Sequence, residues 1–216
     1  MSDRVRILLA SNNAKKLGEL RTLCEPLGVE VVSPSDVGGV PEVDEDRPDF
    51  EGNAEKKACA GARATGLACL ADDSGLCVDA LDGAPGVRSA RFAGESSDDA
   101  ANNAHLLERL DGVPEDDRGA HFVCCLVLVA ADGTRLGTWR GEAHGRILRA
   151  ARGAGGFGYD PLFEFHEAGR PGFGQAFAEL SAEAKAAVGH RGRAVRALAA
   201  DLPALLPSLA PHGGEH

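Results

Sequence analysis

The sequence has no apolar run approaching the ~20 residues that a helix needs to cross a bilayer. Its first residues, Met1-Ser-Asp-Arg-Val-Arg-Ile, also lack the layout of a signal peptide. Positive charge is scarce, because 23 Lys and Arg face 33 Asp and Glu, and the resulting net charge of -10 repels nucleic-acid backbones. We therefore expect a cytoplasmic protein that binds neither membranes nor nucleic acid and that holds any anionic ligand with a local cluster of bases.

Motifs typical of several cofactor and metal sites are also missing. The sequence contains no GxxxxGK[ST], which disfavours a P-loop NTPase. No GxGxxG follows the first predicted strand, which disfavours a Rossmann dehydrogenase. The cysteines form no CxxC pair and several lie in apolar runs, so we expect reduced core thiols at positions 24, 59, 69, 77, 124 and 125.

The N-terminal segment predicts an α/β fold. Arg4–Ala10 is a short apolar run that ends in the polar turn Ser11-Asn12-Asn13, after which apolar residues recur at helical spacing. Gly28 ends that helix, and residues 29–33 have the composition of a second strand. This β-α-β order is typical of α/β proteins.

Four further elements follow along the chain. They are a helix over residues 50–64, a strand over residues 67–71 that ends at two acids, a β-hairpin that joins residues 120–131 to residues 134–139 through Asp132-Gly133, and a helix over residues 190–206. With 216 residues, 44% of them hydrophobic, the chain is long enough to build its own core. We predict a single domain over residues 1–207, whose two lobes share one sheet, and a disordered tail over residues 208–216.

The turn after the first strand is a candidate phosphate site. The run Ser11-Asn12-Asn13-Ala14-Lys15-Lys16 lies between a strand and a helix, where backbone N–H groups and the positive end of the helix dipole favour an anion. A lysine there adds a mobile positive charge. The same pattern is also typical of an ordinary helix cap, so the residues alone leave both interpretations open.

Two adjacent acids, Asp72 and Asp73, are a candidate catalytic or metal site. They follow a predicted core strand, at the end of the sheet where ligands gather in α/β proteins, and neighbouring strand residues point to opposite faces. One carboxylate there would hold a divalent cation or accept a proton from water. The acidic loop Asp44-Glu45-Asp46 would add a second metal ligand. A solvated turn and a solvated loop are the alternative interpretations.

Two segments near the C-terminus are candidate base-binding elements. Residues 155–161 hold two aromatic rings and an acid in a glycine frame, and an aromatic ring stacks on a nucleobase for ~1–3 kcal/mol. The alternative is that both rings pack inward. Lys185 and the run Gly189–Arg193 provide either donors to carbonyl and phosphate oxygens or a solvated helix start.

Six segments, in the same order along the chain, resemble one family. They are SNNAKKLGEL (11–20), FEGNAEKKA (50–58), ADDSGL (71–76), GAPGVRSARFAG (83–94), GGFGYDPLF (155–163) and AEL…K…HRGRA (178–194). Together they resemble the inosine/xanthosine triphosphate pyrophosphatases. The resemblance implies an α/β fold with a long, twisted mixed sheet, flanking helices and two lobes around a central cleft, usually in a homodimer. It also implies Mg²⁺-dependent hydrolysis of ITP, dITP and XTP to the monophosphate and pyrophosphate.

The resemblance further implies a role for each matching residue. The triphosphate site would contain Ser11, Asn12, Asn13, Ala14, Lys15, Lys16 and, as a further phosphate-side lysine, Lys57. Asp73 matches the proton acceptor and metal ligand, Ser74 lies beside the substrate, and the second metal ligand is Glu45, with Asp44 as the alternative. The base pocket would contain Phe157, Gly158, Tyr159 and Asp160 on one side and Lys185, His190 and Arg191 on the other.

The expected chemistry is attack of water on the α-phosphorus, with pyrophosphate leaving on Lys16 and Lys57. Donors on Lys185 or Arg191 would favour a 6-oxo purine over adenine, which presents an amino group. The family usually has serine where this chain has Gly189, so one hydroxyl near the base is missing. Two other functions stay open: a purine-nucleotide sensor that does not hydrolyse its ligand, and a nucleotidyl or phosphoryl transferase.

Overall fold

The computed structural model describes residues 5–95 and 98–209, apart from the side chain of Lys15. Its strands are β1 (Val5–Leu9), β2 (Val29–Val32), β3 (Ala68–Val78), β4 (Gly119–Val129), β5 (Arg135–Ile147) and β6 (Phe163–Phe165). Its α-helices are α1 (Ala14–Cys24), α2 (Phe50–Thr65), α3 (Asp99–Arg109), α4 (Ala182–Val188) and α5 (His190–Leu209).

The strands form one mixed sheet in the order β2-β1-β3-β4-β5-β6. β1 runs parallel to both β2 and β3, whereas β6 is antiparallel to β5. The predicted α/β fold with a mixed sheet and flanking helices is confirmed. The predicted hairpin is confirmed too, because Ala130 donates its N–H to the carbonyl of Thr134 at 2.8 Å in the turn between β4 and β5. Within the described ranges, no helix is both long and apolar enough to cross a membrane.

The chain divides into two compact units. Of the described residues, the first unit takes 5–73, 125–139 and 195–209, and the second takes 74–95, 98–124 and 140–194. The boundary falls inside β3, β4, β5 and α5, so these four elements continue from one unit into the other. The two lobes around a cleft that the resemblance implies stay a prediction.

In the first unit, α2 lies close to the sheet because it presents small side chains. Ala54, Ala58 and Ala62 are buried in a core that includes Cys69 of β3. A Cβ added at Gly61 would lie 2.6 Å from the sulfur of Cys69, so glycine permits this close approach. The packing brings polar residues at the start of α2 next to the middle of β3.

The core of the second unit is rich in aromatic rings. Phe122, Phe163 and Phe177 are buried, and the centroids of Phe122 and Phe163 lie 4.7 Å apart. The ring of His190 stacks on Phe122 at 4.8 Å between centroids, with 15° between the ring planes. The aromatic core therefore fixes the first residue of α5.

Two predicted boundaries were wrong. β3 continues to Val78, so Asp72 and Asp73 lie inside a strand and not at its C-terminal end or in a solvated turn. α5 continues through Leu209, so residues 208 and 209 are helical rather than part of a disordered tail. The rest of the predicted tail, residues 210–216, lies outside the described residues, as do Ser96 and Ser97, which precede the Asp98 cap of α3.

All six cysteines lie in the described ranges, and none of them forms a disulfide. Cys24 and Cys69 are buried, and burial raises the pKa of their thiols to about 11 and about 12. Cys124 and Cys125 are also buried. These four residues pack as small hydrophobic side chains, as the sequence predicts.

Candidate active site

Asp73 lies in the middle of β3 and is held by two side chains of α2. Its Oδ2 accepts a hydrogen bond from Nδ2 of Asn53 at 3.1 Å, and Nζ of Lys57 lies 3.6 Å from its Oδ1. Asn53 and Lys57 are four residues apart, so they share one face of the helix. Asp73 is buried, and a buried carboxylate held by directed partners is a candidate proton acceptor or metal ligand.

Lys57 joins Asp73 to the acidic loop. Its Nζ lies 2.7 Å from Oε1 of Glu45 as well as 3.6 Å from Asp73. Burial opposes the charged form of this ammonium, but the carboxylates of Asp73, Glu45 and Asp72 together outweigh burial and raise the pKa of Lys57. Lys57 therefore stays protonated through the neutral pH range.

Asp72 contacts a different lysine. Nζ of Lys16 lies 2.8 and 2.7 Å from the two carboxylate oxygens of Asp72, which is buried. Lys16 stands in the first turn of α1, which Asn13 caps by accepting the backbone N–H of Lys16 at Oδ1, 3.1 Å away. The predicted phosphate loop thus forms a helix cap in this structure, and that cap brings an ammonium to Asp72.

The other residues predicted around the triphosphate occupy the same turn or the adjoining strand. Ser11 accepts the backbone N–H of Asn13 at Oγ, 3.3 Å away. Asn12 and Ala14 are exposed at the start of α1, and Ser74 is half-buried in β3 directly after Asp73. The predicted contact of the Lys15 side chain lies outside what the structure describes.

Lys16, Glu45, Lys57, Asp72 and Asp73 form what we call the acid–lysine cluster. Glu45 and Asp73 converge on one nitrogen atom, and carboxylate oxygens are ligands that Mg²⁺ prefers. Within the described ranges, no group of three or more His, Cys, Asp or Glu side chains is arranged to hold a metal. The two carboxylates that face the Lys57 ammonium nevertheless fit Mg²⁺, because one or two carboxylates together with substrate phosphates commonly hold this ion.

The structure distinguishes the two residues of the acidic loop that are candidates for the second metal ligand. Glu45 is half-buried and its carboxylate contacts Lys57. Asp44 is exposed and accepts a hydrogen bond from Lys56 at its backbone carbonyl, 2.9 Å away. Glu45 is therefore the better placed of the two to act together with Asp73.

In the second unit, Phe157, Asp160 and Lys185 form what we call the aromatic–lysine cluster. Phe157 is 58% exposed, and Nζ of Lys185 lies 4.6 Å from the centroid of its ring. The same ammonium donates to the carboxylate of Asp160, which also accepts the backbone N–H of Phe157 at 2.9 Å. The cluster therefore presents an open aromatic face beside a fixed hydrogen-bond donor.

The loop that carries Phe157 needs its glycines and two anchors from α3. Gly156 has φ +78°, and a Cβ there would lie 2.1 Å from Oδ2 of Asp160. Gly158 donates its N–H to Oδ2 of Asp99 at 2.7 Å, and its carbonyl accepts from Nδ2 of Asn103 at 2.9 Å. Asp99, Asn103 and Asn53 had no predicted role.

The remaining predicted base-pocket residues are more deeply placed. Tyr159 is buried and its hydroxyl donates to the backbone carbonyl of Ser89 at 2.8 Å, so this ring packs inward. His190 is buried against Phe122, and Arg191 is half-buried in the first turn of α5. The structure brings Phe157, Asp160 and Lys185 together, and Tyr159 supports the loop from behind.

Comparison with protein families finds one match over most of the chain. The family described as the Ham1 family matches residues 7–201. A dITP/XTP pyrophosphatase of Desulforamulus reducens is 51% identical over 192 residues, which are 89% of this chain and 92% of that protein. The dITP/XTP pyrophosphatase of Aromatoleum aromaticum is 54% identical over 91% of this chain and 96% of its own length.

Solved structures resemble this fold over a similarly large part of the chain. The Ham1 protein of Staphylococcus aureus superposes with a TM-score of 0.83 at 36% identity, over 92% of this chain and 98% of that one. A nucleoside-triphosphatase or dITP/XTP pyrophosphatase of Mycobacterium abscessus superposes with a TM-score of 0.76 at 48% identity, over 89% and 97%. Sequence and fold therefore agree over nearly the whole chain.

Proposed function

Because this chain belongs to the Ham1 family, we propose that it hydrolyses the non-canonical purine nucleoside triphosphates ITP, dITP and XTP to the monophosphate and pyrophosphate. The observation that carries the proposal is the setting of Asp73. This buried carboxylate is held between Asn53 and Lys57, and the residue before it holds a second lysine, Lys16. A proton acceptor next to two ammonium groups suits hydrolysis of a phosphoanhydride.

The roles of the acid–lysine cluster follow from its charges. Asp73 would accept the proton of the water that attacks the α-phosphorus, and Asn53 fixes the direction of its carboxylate. Lys57, whose raised pKa keeps it charged, and Lys16 would stabilise the negative charge that develops on the leaving pyrophosphate.

We propose Mg²⁺ as the cofactor, with Glu45 and Asp73 as the residues that would hold it. A triphosphate brings about four negative charges to a protein whose net charge is already -10. When bound, the ion would neutralise part of this charge at the phosphate oxygens. The convergence of Glu45 and Asp73 on a single cation, the Lys57 ammonium, supports this assignment.

The aromatic–lysine cluster would recognise the base. The exposed ring of Phe157 offers a stacking face, and the Lys185 ammonium has three donors. Lys185 can therefore keep its bond to Asp160 and donate another N–H to the 6-oxo group of hypoxanthine or xanthine. Adenine would present an N–H to that donor, and an unmade bond of this kind costs about 1–3 kcal/mol.

The resemblance also leads us to propose that the protein is a homodimer that acts in the cytoplasm. Size-exclusion chromatography with light scattering tests the assembly, and we expect twice the 22.4 kDa of one chain. A mass of one chain at micromolar concentration would contradict the dimer.

Pyrophosphate release from ITP, measured with Mg²⁺ and with chelator, tests the function. We expect release by the wild type with Mg²⁺ and a loss of about 10²–10⁴-fold in Asp73→Asn, because the proton acceptor is gone. Asp82→Asn is the matched control, since this exposed acid lies outside both clusters and asparagine tolerates its φ of +53°.

Near-normal release by a folded Asp73→Asn variant would reject the role of Asp73. If the wild type binds ITP and releases no pyrophosphate, the protein is a sensor. Product formation that requires an acceptor other than water would indicate a transferase.

A further inference from the structure

The Lys57 ammonium stands where a divalent cation bound by Glu45 and Asp73 would stand. It lies 2.7 Å from Oε1 of Glu45 and 3.6 Å from Oδ1 of Asp73, and its side chain is only 18% exposed. An ammonium and a metal ion cannot share this position, because two cations a few ångströms apart repel each other strongly where water screens little. The ammonium must therefore leave before an ion can bind to both carboxylates.

Moving the Lys57 ammonium away from Glu45 and Asp73 costs free energy. The ammonium is held firmly, because it faces both carboxylates at a place where the side chains of Lys57 and Asp73 are only 18% and 8% exposed and water screens little. Moving it away separates the ammonium from Asp73, which is buried, and from Glu45, which is half-buried, and removing the partner of a buried charge is costly. The move becomes favourable only when the ammonium gains another anion and the carboxylates gain another cation. A polyphosphate with its counter-ion supplies both.

We propose that Lys57 acts as an internal cation that closes the divalent-ion site of the nucleotide-free protein. On binding, the polyphosphate takes Lys57 from Glu45 and Asp73, and the divalent ion takes its place. The proposal rests on the proposed function for the identity of the polyphosphate. It makes Lys57 a residue that couples metal binding to nucleotide binding, in addition to its contact with the leaving group.

The same helix carries a lysine that provides the matched control. Lys56 is the neighbour of Lys57, but its Nζ contacts Oδ1 of Asp46 at 2.8 Å and the backbone carbonyl of Asp44 at 2.9 Å. The side chains of Lys56 and Asp46 are 28% and 62% exposed, so this pair is closer to solvent than the pair of Lys57 and Asp73 and lies outside the acid–lysine cluster. Removing the charge of Lys56 changes the net charge by the same amount as removing that of Lys57.

The test is metal binding to the full-length protein without nucleotide, followed with Mn²⁺ by electron paramagnetic resonance and with Mg²⁺ by calorimetry. We expect Lys57→Met to bind either ion at least ten-fold more tightly than the wild type, which corresponds to ~1.4 kcal/mol. Methionine keeps an unbranched side chain and removes the charge. Lys57→Arg, which keeps the charge, and Lys56→Met should bind as weakly as the wild type.

Unfolding temperatures of all four proteins establish that each is folded. The proposal is overturned if folded Lys57→Met binds Mn²⁺ no more tightly than the wild type, or if Lys56→Met gains as much as Lys57→Met. Because no turnover is measured, the outcome is separate from that of the proposed function. Tighter binding in Lys57→Met together with no pyrophosphate release by the wild type would sustain the internal cation and reject the hydrolase.

Discussion

The substitution Asn53→Asp tests how Asp73 is held in the interior. Asn53 is fully buried, donates Nδ2 to Asp73 at 3.1 Å and accepts the backbone N–H of Arg47 at Oδ1, 3.0 Å away. Aspartate has the same shape and keeps the acceptor for Arg47. The substitution therefore replaces one hydrogen-bond donor by a second carboxylate at contact distance from the first.

The magnitude follows from that distance. Two unit charges 3.1 Å apart repel by about 5 kcal/mol at an effective dielectric constant of 20 and by about 1.3 kcal/mol in water. Lys57 offsets part of this repulsion, because its ammonium also contacts Asp73. We expect the pair to bind a proton with an apparent pKa above that of an ordinary aspartate, and a penalty between these two limits when both carboxylates are ionised.

The sign gives a pH window. The unfolded chain ionises both aspartates near pH 3.9, whereas the folded pair retains a proton to a higher pH. The folded state therefore carries its full penalty above the raised pKa of the pair, and the penalty disappears as the pH falls towards 4. At pH 7 a loss of about 1.3–5 kcal/mol corresponds to an unfolding temperature lower by about 3–20 °C, measured by circular dichroism.

The double variant Asn53→Asp/Asp73→Asn is the control, because it exchanges the amide and the carboxylate. It should recover most of the lost stability and should show the pH dependence of the wild type, since one donor again faces one carboxylate. It should not recover turnover, since the carboxylate now lies on α2. The reasoning is refuted if the single variant is as stable as the wild type at pH 7, or if the double variant is no more stable than the single one.

Two further predictions concern the second unit. Phe157→Ala should raise the KM for ITP by about 5- to 150-fold at unchanged unfolding temperature, since a 58% exposed ring supplies ~1–3 kcal/mol of stacking. The control Phe173→Ala removes a 49% exposed ring that stacks on His166 and should leave KM unchanged. Equal effects of the two substitutions on KM would contradict the assignment of Phe157. Arg118→Met should lower the free energy of unfolding, measured in urea, by at least about 3 kcal/mol, because this 2% exposed arginine donates to three backbone carbonyls. Arg149 is exposed, so the control Arg149→Met should lower it by less than about 0.5 kcal/mol. Similar losses in the two variants would contradict the explanation.

Periodicity and caps were sufficient to predict much of the fold. The helix predicted over residues 50–64 is α2, Phe50–Thr65, because its composition and the left-handed Gly66 both act within a few residues. The hairpin through Asp132-Gly133 is equally local. The β-α-β start is also present, as β1, α1 and β2. Signals that act within one element are thus readable without tertiary contacts.

β3 could not be predicted correctly for a tertiary reason. Asp72-Asp73-Ser74-Gly75 has turn composition, and isolated aspartates in a strand interior are unfavourable. The strand persists because Lys16 contacts Asp72 from 56 residues away, while Asn53 bonds to Asp73 from 20 residues away. No local pattern predicts either contact with β3: Asn53 is simply a polar residue near the start of a predicted helix.

The three lysines predicted to contact the nucleotide share one arrangement. Lys16, Lys57 and Lys185 are each mostly covered, and each contacts a buried aspartate: Asp72, Asp73 and Asp160, respectively. A lysine side chain loses up to about 2 kcal/mol of rotamer entropy when it is fixed, and here that loss occurs on folding rather than on ligand binding. The consequence is that a ligand meets ordered ammonium groups but must compete with a carboxylate for each. At Lys185, a neutral base carbonyl can accept a second N–H while the ammonium keeps its bond to Asp160. At Lys16 or Lys57, an anionic phosphate takes the positive charge away from a buried carboxylate, which then requires a new cation.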